Sequence, residues 1–218
     1  MTNSTLNLWE QLMEWLQNQY PEALPTLMPL ACPLDWEDLQ KRTGLAVPED
    51  FTSIYHTHNG QVPYTIEGIF LGLSWMGFEE IKEAWLMFED IKRQLPEEPT
   101  FEWQRAFPAG YAKPIPISPL RLPFATDWCG NYLGFDFDPD KQGTPGQVIS
   151  FGSDEDHVHV LASSFEGFLG WLLSKYQQGE WGFEGVDVDG EESKSLKARV
   201  DGELAPNLFM ALDQWQKG

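Results

Sequence analysis

The 218-residue chain has few cysteines, few cations and no long apolar run. Its two cysteines, Cys32 and Cys129, are too few for a disulfide framework or a four-cysteine zinc site, so reduced thiols are expected. Nothing beside Cys129 supplies the base that a cysteine nucleophile needs. Fourteen Lys and Arg stand against 34 Asp and Glu, a net charge of −20. That balance argues against extended contact with DNA, RNA or anionic lipid, whose phosphates demand clustered positive charge. The apolar runs fall far short of the roughly 18 residues that span a bilayer, and the N-terminus lacks the basic-then-apolar order of an export signal. A soluble cytoplasmic protein is the expectation. Also missing are a Gly-x-Ser-x-Gly elbow, a phosphate loop, a dinucleotide fingerprint and a His-Glu-x-x-His pair. We therefore expect no cofactor, no bound metal and no catalytic residue.

Apolar material is plentiful: 42% of residues are hydrophobic and 14% aromatic, enough for a full core. Leu8, Trp9, Leu12, Met13, Leu16 and Tyr20 recur at helical spacing over Thr5 to Tyr20, and Pro21 stops the pattern. The four prolines between Pro21 and Pro33 predict an irregular connection. A short helix runs from about Leu34 to Gly44. A second opens at Pro48-Glu49-Asp50 and is expected to close at Asn59-Gly60. A strand is expected around Ile66 to Trp75, then a strong helix from Phe78 to about Leu95. The proline-rich stretch Pro96 to Pro123 reads as an extended edge or connection. Strands at Leu122–Ala125, Tyr132–Asp138, Gln147–Phe151 and His157–Leu161 predict an antiparallel meander, and Ser163-Ser164-Phe-Glu166 reads as a serine-capped start of a helix carrying Phe165, Phe168, Leu172 and Tyr176. Phe183 to Asp201 is rich in acid and glycine and looks like an appended tail, ending in a short helix over Pro206 to Trp215.

Three constellations invite chemistry. Asp136, Asp138 and Asp140 begin like an EF-hand loop, but Lys141 stands where glycine is required and Gln147 where a bidentate glutamate is needed. The alternation with Phe135 and Phe137 instead predicts a half-buried strand with the aspartates on its solvent face. His157 and His159 share one face of their strand, a geometry compatible with chelation, and with nearby acids they form the weaker alternative of a metal-dependent hydrolase. The competing reading is that both are exposed, opposite Val158 and Val160. His56 and His58, at a helix end, point about 200° apart. Asp154, Glu155 and Asp156 form a charged tip between two strands. As contacts for a protein partner we single out Trp75, Asp127, Trp128, Asn131, Asp154, Glu155 and Asp156.

Three separated motifs resemble the SUKH superfamily, which includes the yeast cell-wall-assembly regulator and many bacterial toxin-immunity proteins. Glu37-Asp-Leu-Gln-Lys-Arg-Thr-Gly-Leu-Ala-Val-Pro-Glu-Asp-Phe51 through Asn59-Gly60 looks like its two-helix opening. Asp127 through Phe151 looks like its Gly-Asn-Tyr-Leu and Pro-Gly-Gln-Val-Ile hairpin, and Leu161 through Leu169 like its closing helix. Trp128-Cys129 departs from the further glycine that members often carry there. The resemblance implies an α+β fold, a mixed, mostly antiparallel sheet flanked by helices. It also implies binding without catalysis. The expected layout is an N-terminal helix and connection over 1–33, a SUKH-like domain over 34–180 and an acidic extension over 181–218. The expected role is an immunity protein occluding a basic toxin domain, with a regulatory or scaffold protein as the alternative.

Overall fold

The structure is a computed structural model describing residues 3–95, 101, 103–188 and 191–215. Helix α1, Asn3–Gln19, buries Trp9, Leu12 and Leu16 and gives way at Pro21 to a 3₁₀ turn, Pro21–Thr26, and a short strand β1, Leu27–Pro29. Helix α2, Trp36–Thr43, starts on the side chain of Asp35, which accepts from the Asp38 N–H, and stops at Gly44 with φ 70°. Helix α3, Glu49–Ile54, leads into β2, His58–Gln61, paired antiparallel with β1. Strand β3 is Ser74–Trp75, followed by helix α4, Phe78–Gln94, and strand β4, Arg105–Phe107. The meander follows as β5, Arg121–Thr126, β6, Asn131–Asp136, β7, Gln147–Gly152, and β8, His157–Ala162. Helix α5, Phe165–Gln177, precedes a hairpin of β9, Trp181–Val188, and β10, Glu191–Val200, with β11, Glu203–Leu204, beside it and helix α6, Leu208–Trp215, closing the described chain.

The central sheet has the order β3-β5-β6-β7-β8-β4, antiparallel except where β4 runs parallel to β8. This is an α+β single domain, as expected. Helices cover both faces. On one face Phe51 of α3 meets Phe124, Phe135 and Phe165 with ring centroids 5.6, 4.9 and 5.1 Å away. On the other, Phe88 of α4 meets Tyr132 and Phe151 at 5.3 and 6.0 Å. Truncating a fully buried aromatic such as Phe51 costs about 3–5 kcal/mol in general.

Double coverage corrects the reading of Asp136. Every residue of β6 is buried, and Asp136, at 1% exposure, faces the buried Arg121 with Nε 4.0 Å from Oδ1. Gln147 Nε2 donates to Asp136 Oδ2 at 3.1 Å, and the Arg121 guanidinium donates to the carbonyls of Ile115 and Lys113. Burial raises the Asp136 carboxyl above its usual range, with Arg121 pulling the other way, and lowers Arg121 to about 10. Phe/Asp alternation does mark opposite faces of the strand, but the second face is covered by α4 and the 111–120 segment instead of water. Asp138, beyond the strand, is the half-exposed member and pairs with Lys113 at 2.6 Å.

Three further expectations change. Asn59-Gly60 does not close α3 but lies in β2, where Asn59 Oδ1 accepts from the first N–H of α4, Phe78, at 2.9 Å. Gly60, at φ 75°, passes so close to Met76 and Gly77 that a Cβ would lie 2.4 Å from the Gly77 nitrogen. The strand expected from Ile66 shrinks to β3, because 62–73 forms tight turns with Tyr64 and Leu71 at positive φ. The segment read as a tail holds the β9–β10 hairpin, with Leu196 and Ala198 fully buried and Trp181 and Phe183 packed on the core.

Candidate protein-interaction site

Two turns meet at one end of the central sheet, 127–130 and 153–156. Asp127 organises the first: Oδ1 accepts from the N–H groups of Cys129 (2.8 Å) and Asn131 (3.1 Å), and Oδ2 from the Asn131 side chain (2.8 Å). Asn131 reaches the second turn, where its Oδ1 accepts from the Asp154 N–H at 3.4 Å. Gly152 is the contact point. A Cβ there would sit 2.2 Å from Asn131 Oδ1. The Gly-Asn signature is therefore a joint between two turns, and buried Asn131 contributes to it structurally.

Beside this joint two aromatic rings stack. Trp128 and Tyr64 lie 4.6 Å apart at 36°, and both residues have left-handed backbones, φ 62° and 63°. Such a conformation costs a non-glycine residue about 1–2 kcal/mol, and strain of this kind collects at functional positions. Ser74 of β3 fixes the pair: its hydroxyl accepts from Trp128 Nε1 at 3.1 Å and donates to the Thr65 carbonyl at 3.1 Å. Tyr64 is 75% exposed. The pair stands between two clefts of about 290 and 280 Å³. One is bordered by Asp127, Lys197 and the start of α6, the other by Glu80, Glu83 and the exposed Met87 of α4.

Acid surrounds the joint. Asp154 and Asp156 are exposed and Glu155 is half-buried. Burial first, then the charges of Asp127, Asp213, Asp154 and Asp156, push the Glu155 carboxyl up to about 7. A residue beyond sequence reasoning appears at its edge. Asp213 of α6 accepts at Oδ1 from both His157 Nδ1 (2.6 Å) and His159 Nε2 (2.8 Å). His159 is buried, not exposed, because α6 and Phe107 cover it. Among the described residues these three form the one group of histidines and acids close enough to hold a metal ion.

Of the residues singled out from sequence, Asp127, Trp128, Asn131, Asp154, Glu155 and Asp156 gather at this end of the sheet. Trp75 does not. It is 0% exposed, 4.9 Å from Trp9 and 4.7 Å from Tyr55, and serves the core. Tyr64 had no signal in the sequence beyond being an aromatic after proline. His56 and His58 lie apart, along a cleft of about 640 Å³ between α1 and the turn after α3, where burial lowers the basicity of His58. Cys129 is exposed. No helix among the described residues is long and apolar enough to cross a membrane.

The meander, its Gly-Asn turn and the helices on both faces agree with the α+β fold that the resemblance to the SUKH superfamily implies. The chain belongs to the SMI1 / KNR4 family (SUKH-1), which matches residues 32–171, more than half of its length. A Schizosaccharomyces pombe protein named cell wall biosynthesis/cell cycle regulator smi1 is 27% identical over 185 residues, covering 79% of this chain and 36% of that protein. A Neurospora crassa glucan synthesis regulatory protein is 24% identical over 238 residues, 94% of this chain and 44% of the relative. The Saccharomyces cerevisiae cell wall assembly regulator SMI1 is 20% identical over 210 residues, 82% and 42% respectively. The chain thus spans from about a third to under half of these relatives' length.

Proposed function

We propose that this chain is a regulatory protein-binding domain, using the Tyr64–Trp128 pair to capture a basic segment of a partner protein without catalysis. The observation that carries this reading is the pair itself: two aromatic residues with left-handed backbones, the half-buried Trp128 held by Ser74 and the exposed Tyr64 beside it, standing between clefts that Asp127, Glu80 and Glu83 border. An aromatic face attracts Lys or Arg by about 0.5–2 kcal/mol, and the neighbouring carboxylates add attraction and speed the encounter. The names of the relatives, regulators of cell wall assembly and glucan synthesis, support a regulatory role over toxin neutralisation, which the superfamily resemblance alone left in front. Placement in the cytoplasm follows the same reading.

The test is affinity capture from the native cell with wild type and a Tyr64→Ala/Trp128→Ala variant. The expected result is a basic partner retained by the wild type, lost by the variant and released at high salt. Equal recovery on both baits would sink the assignment of the site. A toxin domain as the captured partner would restore the immunity reading.

A further inference from the structure

We infer that His157, His159 and Asp213 form a zinc-binding site that clamps helix α6 onto strand β8. Alternation along β8 puts the two histidines on one face, and α6 lays Asp213 across it, so that two imidazole nitrogens and one carboxylate oxygen converge. These donor atoms lie within 4.8 Å of one another. Two imidazoles and a carboxylate are the donor set that zinc favours, whereas calcium and magnesium require shells of oxygen. Phe107 walls one side, its ring 5.0 Å from that of His157 and stacked 5.7 Å from that of His159.

Tetrahedral zinc with bonds of about 2.0–2.1 Å holds its ligand atoms roughly 3.3 Å apart. The two N···O distances are now 2.6 and 2.8 Å, so each of these pairs opens by about 0.5–0.7 Å on binding. His159, 1% exposed, is the fixed post, while the His157 and Asp213 side chains, at 28% and 32%, have room to move and leave an entry path. Asp156 and Glu155, adjoining His157 in the chain, add the negative field that draws a dication. The fourth position faces solvent and takes water. The site is independent of the aromatic pair and of the regulatory reading.

The experiment is titration of the EDTA-treated full chain with zinc chloride, read by calorimetry and by thermal unfolding. One zinc per chain is expected, and free zinc at about a hundred times Kd raises Tm by roughly 5–10 °C. His157→Ala and Asp213→Asn each weaken binding by at least about 10-fold, while His56→Ala, in the other histidine pair, leaves it unchanged. His157 is partly exposed, so its variant keeps the fold even if Asp213→Asn loosens α6. No zinc uptake by the wild type, or uptake with the same affinity in His157→Ala and Asp213→Asn, overturns the proposal.

Discussion

The two ends of the central sheet treat their polar groups in opposite ways. At one end Arg121, Asp136 and Gln147 lie on paired rungs of β5, β6 and β7, buried and bonded to one another or to nearby carbonyls, and Lys113 neutralises Asp138 just outside. At the other, Tyr64 and Trp128 accept backbone strain, and the charges of Asp127, Asp154, Asp156 and Asp213 bear on Glu155. One end is finished within the chain itself. The other keeps unspent attraction for something outside it. On the proposed function, the same meander separates stability from recognition by the length of a strand, and substitutions at its two ends should fail in different ways.

The largest expected effect tests the finished end. Asp136→Ala leaves the Arg121 guanidinium buried without its carboxylate, and denaturant unfolding should show a loss of about 3–5 kcal/mol. Where the variant folds, partner capture at the far end should be intact; simultaneous loss of binding would break the division of labour. Next comes Trp128→Ala, for which titration with the captured partner should show at least roughly 30-fold weaker binding, the range of an interface hot spot. Tyr64→Gly sharpens the contrast: glycine adopts φ 63° freely, so stability should stay within about 1 kcal/mol of wild type while binding drops. A large fall in Tm with binding retained would make the aromatic pair structural.

The smallest effect is with pH. Glu155 has a folded pKa of about 7, above the ordinary 4.5, so the fold binds its proton more tightly than the unfolded chain does. Its contribution is complete below pH 4.5 and is lost as pH rises through 7. After allowance for solvent screening at this half-buried carboxyl, the loss is on the order of 1–2 kcal/mol. Unfolding in EDTA should show stability declining between pH 5 and 8, and Glu155→Gln should remove that part of the decline. An identical slope in the variant would place the missing charge compensation elsewhere.

Much of this was legible in the residues. The α1, α4 and α5 helices carry long apolar stripes, α5 with a local serine cap, and β5 to β8 carry dense apolar runs between turn residues, so short-range physics alone located them. The errors fall where distant segments decide. Asn59-Gly60 has the composition of a helix stop but caps α4 and passes β3 closely. Lys194 to Val200 does alternate, with Leu196, Ala198 and Val200 inward, and an Asp-Gly dipeptide precedes β10 in the sequence; the acidic composition obscured that period of two. Asp136 was assigned to water because the strand pattern cannot show a second covering layer. The Asp213 contact, joining residues 54 and 56 positions apart, has no local signal at all.

The β9–β10 hairpin has a consequence for how the chain is made. Trp181 lies 4.8 Å from Trp15 and Phe183 4.9 Å from Tyr20, and the Tyr20 hydroxyl donates to the Lys194 carbonyl at 2.7 Å. Helix α1 thus has its outer apolar side covered by a segment translated more than 150 residues later. Until that hairpin emerges, Trp15 of α1 and Tyr20 just after it lack their aromatic partners. Covering α1 is then a late step of core formation, one that waits on contacts of long sequence separation.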